Sequence, residues 1–97
     1  MRVEFHPLAE EELIEQAAYY NERVPGLGAA FVSEAEAIAA ALLEHPQIGA
    51  LLDADMRTLP LRRFPHSLIY AVEGKRVLVL AIAHQKRKPG YWRQRRE

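Results

Sequence analysis

Val3 and Phe5 alternate with polar neighbours at the start of the chain, a period of two that predicts a short strand over residues 1–6, ended by Pro7. From Pro7 the period changes. Leu13, Ala17, Tyr20 and Val24 recur at spacings of four and three, the stripe of an amphipathic helix running to about Val24, and proline suits its first turn. Glu10, Glu11 and Glu12 crowd that turn, where the helix dipole favours anions, so they and Glu15 read as solvated helix surface. Pro25-Gly26 breaks the pattern. Phe31, Ala35, Ile38 and Leu42 then mark the face of a second, alanine-rich helix reaching His45-Pro46, and the two helices read as a hairpin.

Residues 46–55 hold Pro46, Gly49, Asp53 and Asp55 and read as a connecting loop. Three strands are predicted after it, over residues 56–63, 67–73 and 76–84. Pro60 makes the first of these an edge strand or a bulged one. Gly74-Lys75 forms the hairpin turn between the other two. Residues 76–83 are apolar on both alternating faces, which places that strand centrally with one face against the helices. Pro89-Gly90 ends regular structure before a short basic tail. The order β-α-α-β-β-β predicts an α+β fold, a single domain over residues 1–97 in which the helical hairpin packs on a mainly antiparallel sheet.

Composition narrows the setting. Ninety-seven residues, 49% of them hydrophobic, suffice for one core and not for two. With no cysteine there is neither a disulfide framework nor a thiolate metal site, as a reducing compartment allows. The longest apolar run, Val77 to Ala83, is far too short for a bilayer, and Glu4 and His6 stand where a signal peptide needs apolar residues. The expected location is the cytoplasm, with no membrane partner. Zero net charge conceals a division: residues 1–55 carry two basic side chains against eleven acidic, and residues 56–97 eleven basic against two acidic. A polarity of this size points to a polyanionic or acidic partner, or to two halves that neutralise each other across the surface.

Strand parity sorts the candidate chemistry. Arg57, Leu59, Leu61 and Arg63 share one face of the first meander strand with Arg62 opposite, and His84 is in phase with Leu78, Leu80 and Ile82. His84 therefore reads either as a structural histidine at a strand end or as the acid–base group of a metal-independent ribonuclease. In the second reading Arg63 and Arg87 clamp the phosphate, Arg57, Arg62 and Lys86 hold the substrate or target, and Tyr91 or Trp92 offers a stacking surface. Arginines beside aromatics are equally typical of a protein interface, and Tyr91 and Trp92 are equally suited to folding back over a sheet edge. His6, His45, His66 and His84 show no ligand spacing, so neither a metal nor a cofactor is expected.

The segments Arg57-Thr-Leu-Pro-Leu-Arg-Arg-Phe-Pro65, Leu68-Ile-Tyr-Ala-Val72, Val77 to Ala83 and His84-Gln-Lys-Arg87 resemble the RelE/ParE superfamily of toxins from bacterial type II toxin–antitoxin (plasmid stabilisation) modules. The resemblance spans nearly the whole chain. It implies the same order of strand, helical hairpin and meander, growth arrest as the activity, and a cognate antitoxin as partner. RelE-like members cut messenger RNA on the ribosome, whereas ParE-like members poison DNA gyrase. Thr58, Pro60 and Ser67 stand where RelE-like chains place basic residues, while Arg63-Phe64-Pro65 and His84 stand where ParE-like chains have theirs. These positions favour the ParE-like side, with a ribonuclease, or a non-toxic subunit acting through its antitoxin complex, as alternatives.

Overall fold

The computed structural model describes residues 1–96. Strand β1 (Arg2–Phe5) leads into helix α1 (Pro7–Arg23), whose start is capped by His6 Nδ1 accepting from the Leu8 amide at 3.1 Å. Helix α2 (Leu27–Glu44) follows after a tight break in which Asn21 Oδ1 accepts from the Gly26 amide. The two helices approach closely at Gly28, where a Cβ would lie 2.2 Å from the Ala17 carbonyl oxygen. Only glycine fits there. Strands β2 (Ala50–Asp53), β3 (Met56–Pro60), β4 (His66–Glu73) and β5 (Arg76–His84) complete a five-stranded sheet in the order β1-β5-β4-β3-β2, parallel between β1 and β5 and antiparallel elsewhere. The α+β architecture with a helical hairpin on a mainly antiparallel sheet is the one predicted. Among the described residues no helix is long and apolar enough to cross a membrane.

Three local expectations need correction. Residues 46–55 are not all loop: Ala50–Asp53 pairs with β3 and forms the sheet's edge, so β3 is flanked on both sides. All four residues of β2 are exposed, so no alternation of burial marks them. Its lead-in is held instead by polar contacts: Tyr70 donates to the Pro46 carbonyl at 2.7 Å and accepts from the Gly49 amide at 3.0 Å, and the Arg57 guanidinium donates to the Gln47 and Gly49 carbonyls. The third strand element stops at Pro60 rather than Arg63. Pairing with β2 ends at Thr58, which leaves the proline, with no amide hydrogen to give, beyond the two-sided part of the ladder.

The third correction matters most for the site. Ile69 pairs with Ala81 but Tyr70 with Val79, so Leu80 is an extra residue in β5, a β-bulge that reverses the parity of everything after it. Val77, Val79 and Ile82 face the helices with Leu68 and Tyr70 of β4 and Phe64, and pack in one core with Phe31 and Leu42 of α2. Leu78, Leu80, Ala81 and Ala83 face the other way, with Met56, Ile69 and Ala71. His84 is thus in phase with Ile82 and the helix-facing row, not with Leu78 and Leu80. The second face is covered by the end of the chain, which turns at Gly90 (φ +94°) and forms a single 3-10 turn over Arg93–Arg96. Trp92, only 6% exposed, lies on that face.

Candidate functional site

Beyond Phe5, strand β1 no longer accompanies β5, so the backbone from Leu80 onward lacks a strand on that side. Side chains fill the gap. Glu12 reaches from α1 and accepts from the Ile82 amide at 3.0 Å, while Arg95 reaches from the terminal turn and donates to the Leu80 carbonyl at 2.9 Å. The two meet in a forked pair at 3.1 and 3.0 Å, with only 13% and 10% of their side-chain surfaces exposed. Arg93 pairs with Asp53, and Arg96 with Glu73 and Asp55, so the last arginines bind the terminal turn to four separate acidic side chains. Much of the tail's positive charge is spent inside the fold.

Next to this anchor lies a cavity of about 130 Å³ lined by Glu12, Glu15, Gln16, His66, His84, Arg87 and Tyr91. Residues Ala9, Glu12, Leu13, Gln16 and Tyr20 follow one another at helical spacing on the inner side of α1, which is how a carboxylate and an amide come to sit against the sheet. His66 opens β4 opposite His84, which closes β5, and their rings stand edge to face at 5.0 Å. His66 is fully buried and contacts Gln16 through Nε2 at 3.2 Å. His84 Nδ1 accepts from the Lys86 amide at 3.0 Å, so the neutral ring carries its proton on Nε2. Arg87 lies 3.7 Å above the Tyr91 ring and 3.7 Å from Glu12. Burial, with Glu12 nearby, pushes the Tyr91 hydroxyl up to about 12.

Burial, reinforced by His84 and opposed by Glu12, holds His66 at about 4, below its ordinary 6.5. The unfolded chain therefore takes up this proton first as pH falls. The stability that neutral His66 contributes is complete above pH 6.5 and is lost between there and about 4, at up to about 1.4 kcal/mol per pH unit. Urea midpoints measured across this window should fall for the native chain. They should fall less steeply for His66→Gln, whatever its stability at pH 7.

The structure gathers some of the sequence candidates and separates others. His84, Arg87 and Tyr91 share the cavity, and Lys86 is exposed beside it. Arg63 is elsewhere. Its guanidinium lies 3.6 Å from Glu34 on α2, and with Arg62 it borders a shallow groove of about 690 Å³ floored by Ala30, Ala37, Ile38 and Ala41. Glu34 also accepts from the backbone amides of Arg62 and Arg63, fixing that loop to the helix. Arg57 is tied to the β2 lead-in, and Trp92 is buried. Sequence reasoning missed Glu12, Gln16, His66 and Arg95. Glu12 stands with Glu10 and Glu11 in the first turns of α1 but continues the stripe of Ala9 and Leu13, and that position is the signal the sequence offers.

Comparison with known proteins identifies the lineage. A solved chain described as "Chromosomal ParDE TA system from P. aeruginosa" superposes with a TM-score of 0.76 at 23% identity, covering 87% of this chain and 95% of that one, which shows a shared fold. No curated protein matches the sequence. The family model for the ParE toxin of the type II toxin–antitoxin system parDE matches residues 3–89, nearly every element described above. The chain belongs to the ParE toxin family.

Proposed function

We propose that this chain is the toxin of a toxin–antitoxin pair and that it arrests growth by binding DNA gyrase, without cutting RNA. The observation that carries this reading is the state of His84. A general base in ribonuclease chemistry needs a free ring nitrogen facing the hydroxyl it deprotonates. Here Nδ1 is occupied by the Lys86 amide and Nε2 holds the proton. The cavity it borders is lined by the carboxylates of Glu12 and Glu15, and Arg63 borders a different groove, so the cations expected to clamp a phosphate do not converge on it. A protein that works by trapping another enzyme needs none of this alignment.

The partner in this reading is a cognate antitoxin, and the α2 groove suits one. An amphipathic segment would lay its apolar side on Ala30, Ala37, Ile38 and Ala41 and direct acidic residues to Arg62 and Arg63. The deciding measurement is His84→Ala in two assays, DNA supercoiling by purified gyrase and messenger RNA cleavage on ribosomes. Inhibition of gyrase retained within a few-fold is the expected result. A ribonuclease would instead show RNA cleavage by the native chain and a loss of roughly a hundredfold to ten-thousandfold in the variant, which would reverse the assignment.

A further inference from the structure

The fold divides the basic half of the chain into two populations. Arg76, Arg93, Arg95 and Arg96 are held at 3.0 Å or closer by Glu4, Glu73, Asp53, Glu12 and Asp55, and Arg57 is held by backbone carbonyls. Arg62, Arg63, Lys86, Arg87 and Lys88 are all exposed. They occupy two loops, residues 61–65 and 85–89, that leave the same end of the sheet beside the His66–His84 pair and are joined by the Gln85 amide donating to the Pro65 carbonyl at 2.9 Å. Neither loop contains an aspartate or glutamate. Of the acidic groups behind them, Glu34 lies 3.6 Å from Arg63, and Glu12, paired more closely with Arg95, lies 3.7 Å from Arg87, the two longest ion pairs among the described residues; Glu15 lines the cavity beside Arg87.

We propose that this end of the sheet is a contact surface for the phosphate backbone of duplex DNA. Five cations on a small tied pair of loops supply the charge, and their arrangement is fixed by the ladder beneath them. The choice of duplex over single strand follows from the aromatics. A single-stranded nucleic acid is held by stacking its bases on exposed rings, but Phe64 and Trp92 are buried and Arg87 lies across Tyr91. Neither loop contains a helix or strand that could enter a groove to read bases, so the binding expected is independent of sequence. In its relation to gyrase the surface rests on the reading given above, since it would meet the DNA that gyrase holds. Its affinity for DNA does not.

The test is fluorescence anisotropy with a short labelled duplex, between about 50 and 200 mM salt, for the native chain, Lys86→Glu/Lys88→Glu and Lys75→Glu. Lys75 is also exposed but sits in the β4–β5 turn, at the far end of these strands. The double variant should bind about tenfold or more weakly and lose about 2 from the log–log salt slope, roughly 1 for each lysine. Lys75→Glu should bind as the native chain does. Trp92, the only tryptophan, reports folding in every variant. Equal losses for both variants would reduce the effect to net charge and overturn the proposal. So would preference for a single strand of the same sequence, absence of saturable binding at low salt, or loss of affinity confined to an acidic antitoxin segment. Supercoiling assays on the same proteins read the gyrase assignment separately, because a native chain that binds DNA and spares gyrase refutes that assignment alone.

Discussion

Trp92→Ala should cost about 3–5 kcal/mol, a large part of the stability of a domain this size. The indole is 6% exposed against Met56, Ile69, Leu78, Leu80, Ala81 and Ala83, and among the described residues the other hydrophobic side chain from outside the sheet packed on that cluster is Tyr91, which is only partly buried. At about 4–8 °C per kcal/mol the melting temperature should fall by more than about 12 °C. Indole Nε1 has no hydrogen-bond partner among the described residues, so the native side chain already bears a penalty, and Trp92→Phe should recover most of the loss. Thermal melts of the three proteins decide the matter: a small loss for Trp92→Ala would mean that the terminal turn is not docked in solution.

Glu12→Ala should be comparably damaging, at about 3–5 kcal/mol, because removing one member of a shielded pair strands the other. It leaves the Ile82 amide without its side-chain acceptor and the Arg95 guanidinium, still bonded to the Leu80 carbonyl, without its counter-charge. Glu11→Ala, one residue earlier on the exposed side of α1, should change stability by no more than about 0.5 kcal/mol. Arg95→Ala should resemble Glu12→Ala, and the double variant should lose less than the sum of the two. Chemical denaturation of the four proteins measures this, and additive losses would show that the pair is not coupled.

These two residues also show where the sequence was legible. A period of 3.6 locates both helices because each buries one continuous face, whereas the last two strands, buried on both faces, stand out as apolar runs separated by the Gly74-Lys75 turn. Strand β2 buries nothing and leaves no such trace; its place depends on Tyr70, Arg57 and Gly49, which meet only in the folded chain. The bulge at Leu80 is invisible for a different reason. In a run where every residue is apolar, alternation carries no information about which face each side chain takes, so His84 is assigned to the wrong row. His66 and His84 are eighteen positions apart and become neighbours through register alone. The positive charge of the final residues was plain in the sequence, but its division between internal pairs and outward loops depends on acids contributed by α1, β2 and β4.

The parallel pairing of β1 with β5 bears on the order in which the molecule is made. Glu4 and Arg76, joined at 2.7 Å, are 72 residues apart, so during synthesis β1 has no ladder partner until β5 has followed. The helical hairpin forms from local contacts, but its apolar side waits with β1 for β5. At roughly 5–20 residues per second of synthesis, that interval lasts several seconds. During it the chain offers Val3, Phe5, Phe31 and Leu42 to whatever binds apolar surface. The expected consequence of pairing the edge strand β1 with the late strand β5 is chaperone dependence during synthesis rather than on refolding of the complete chain.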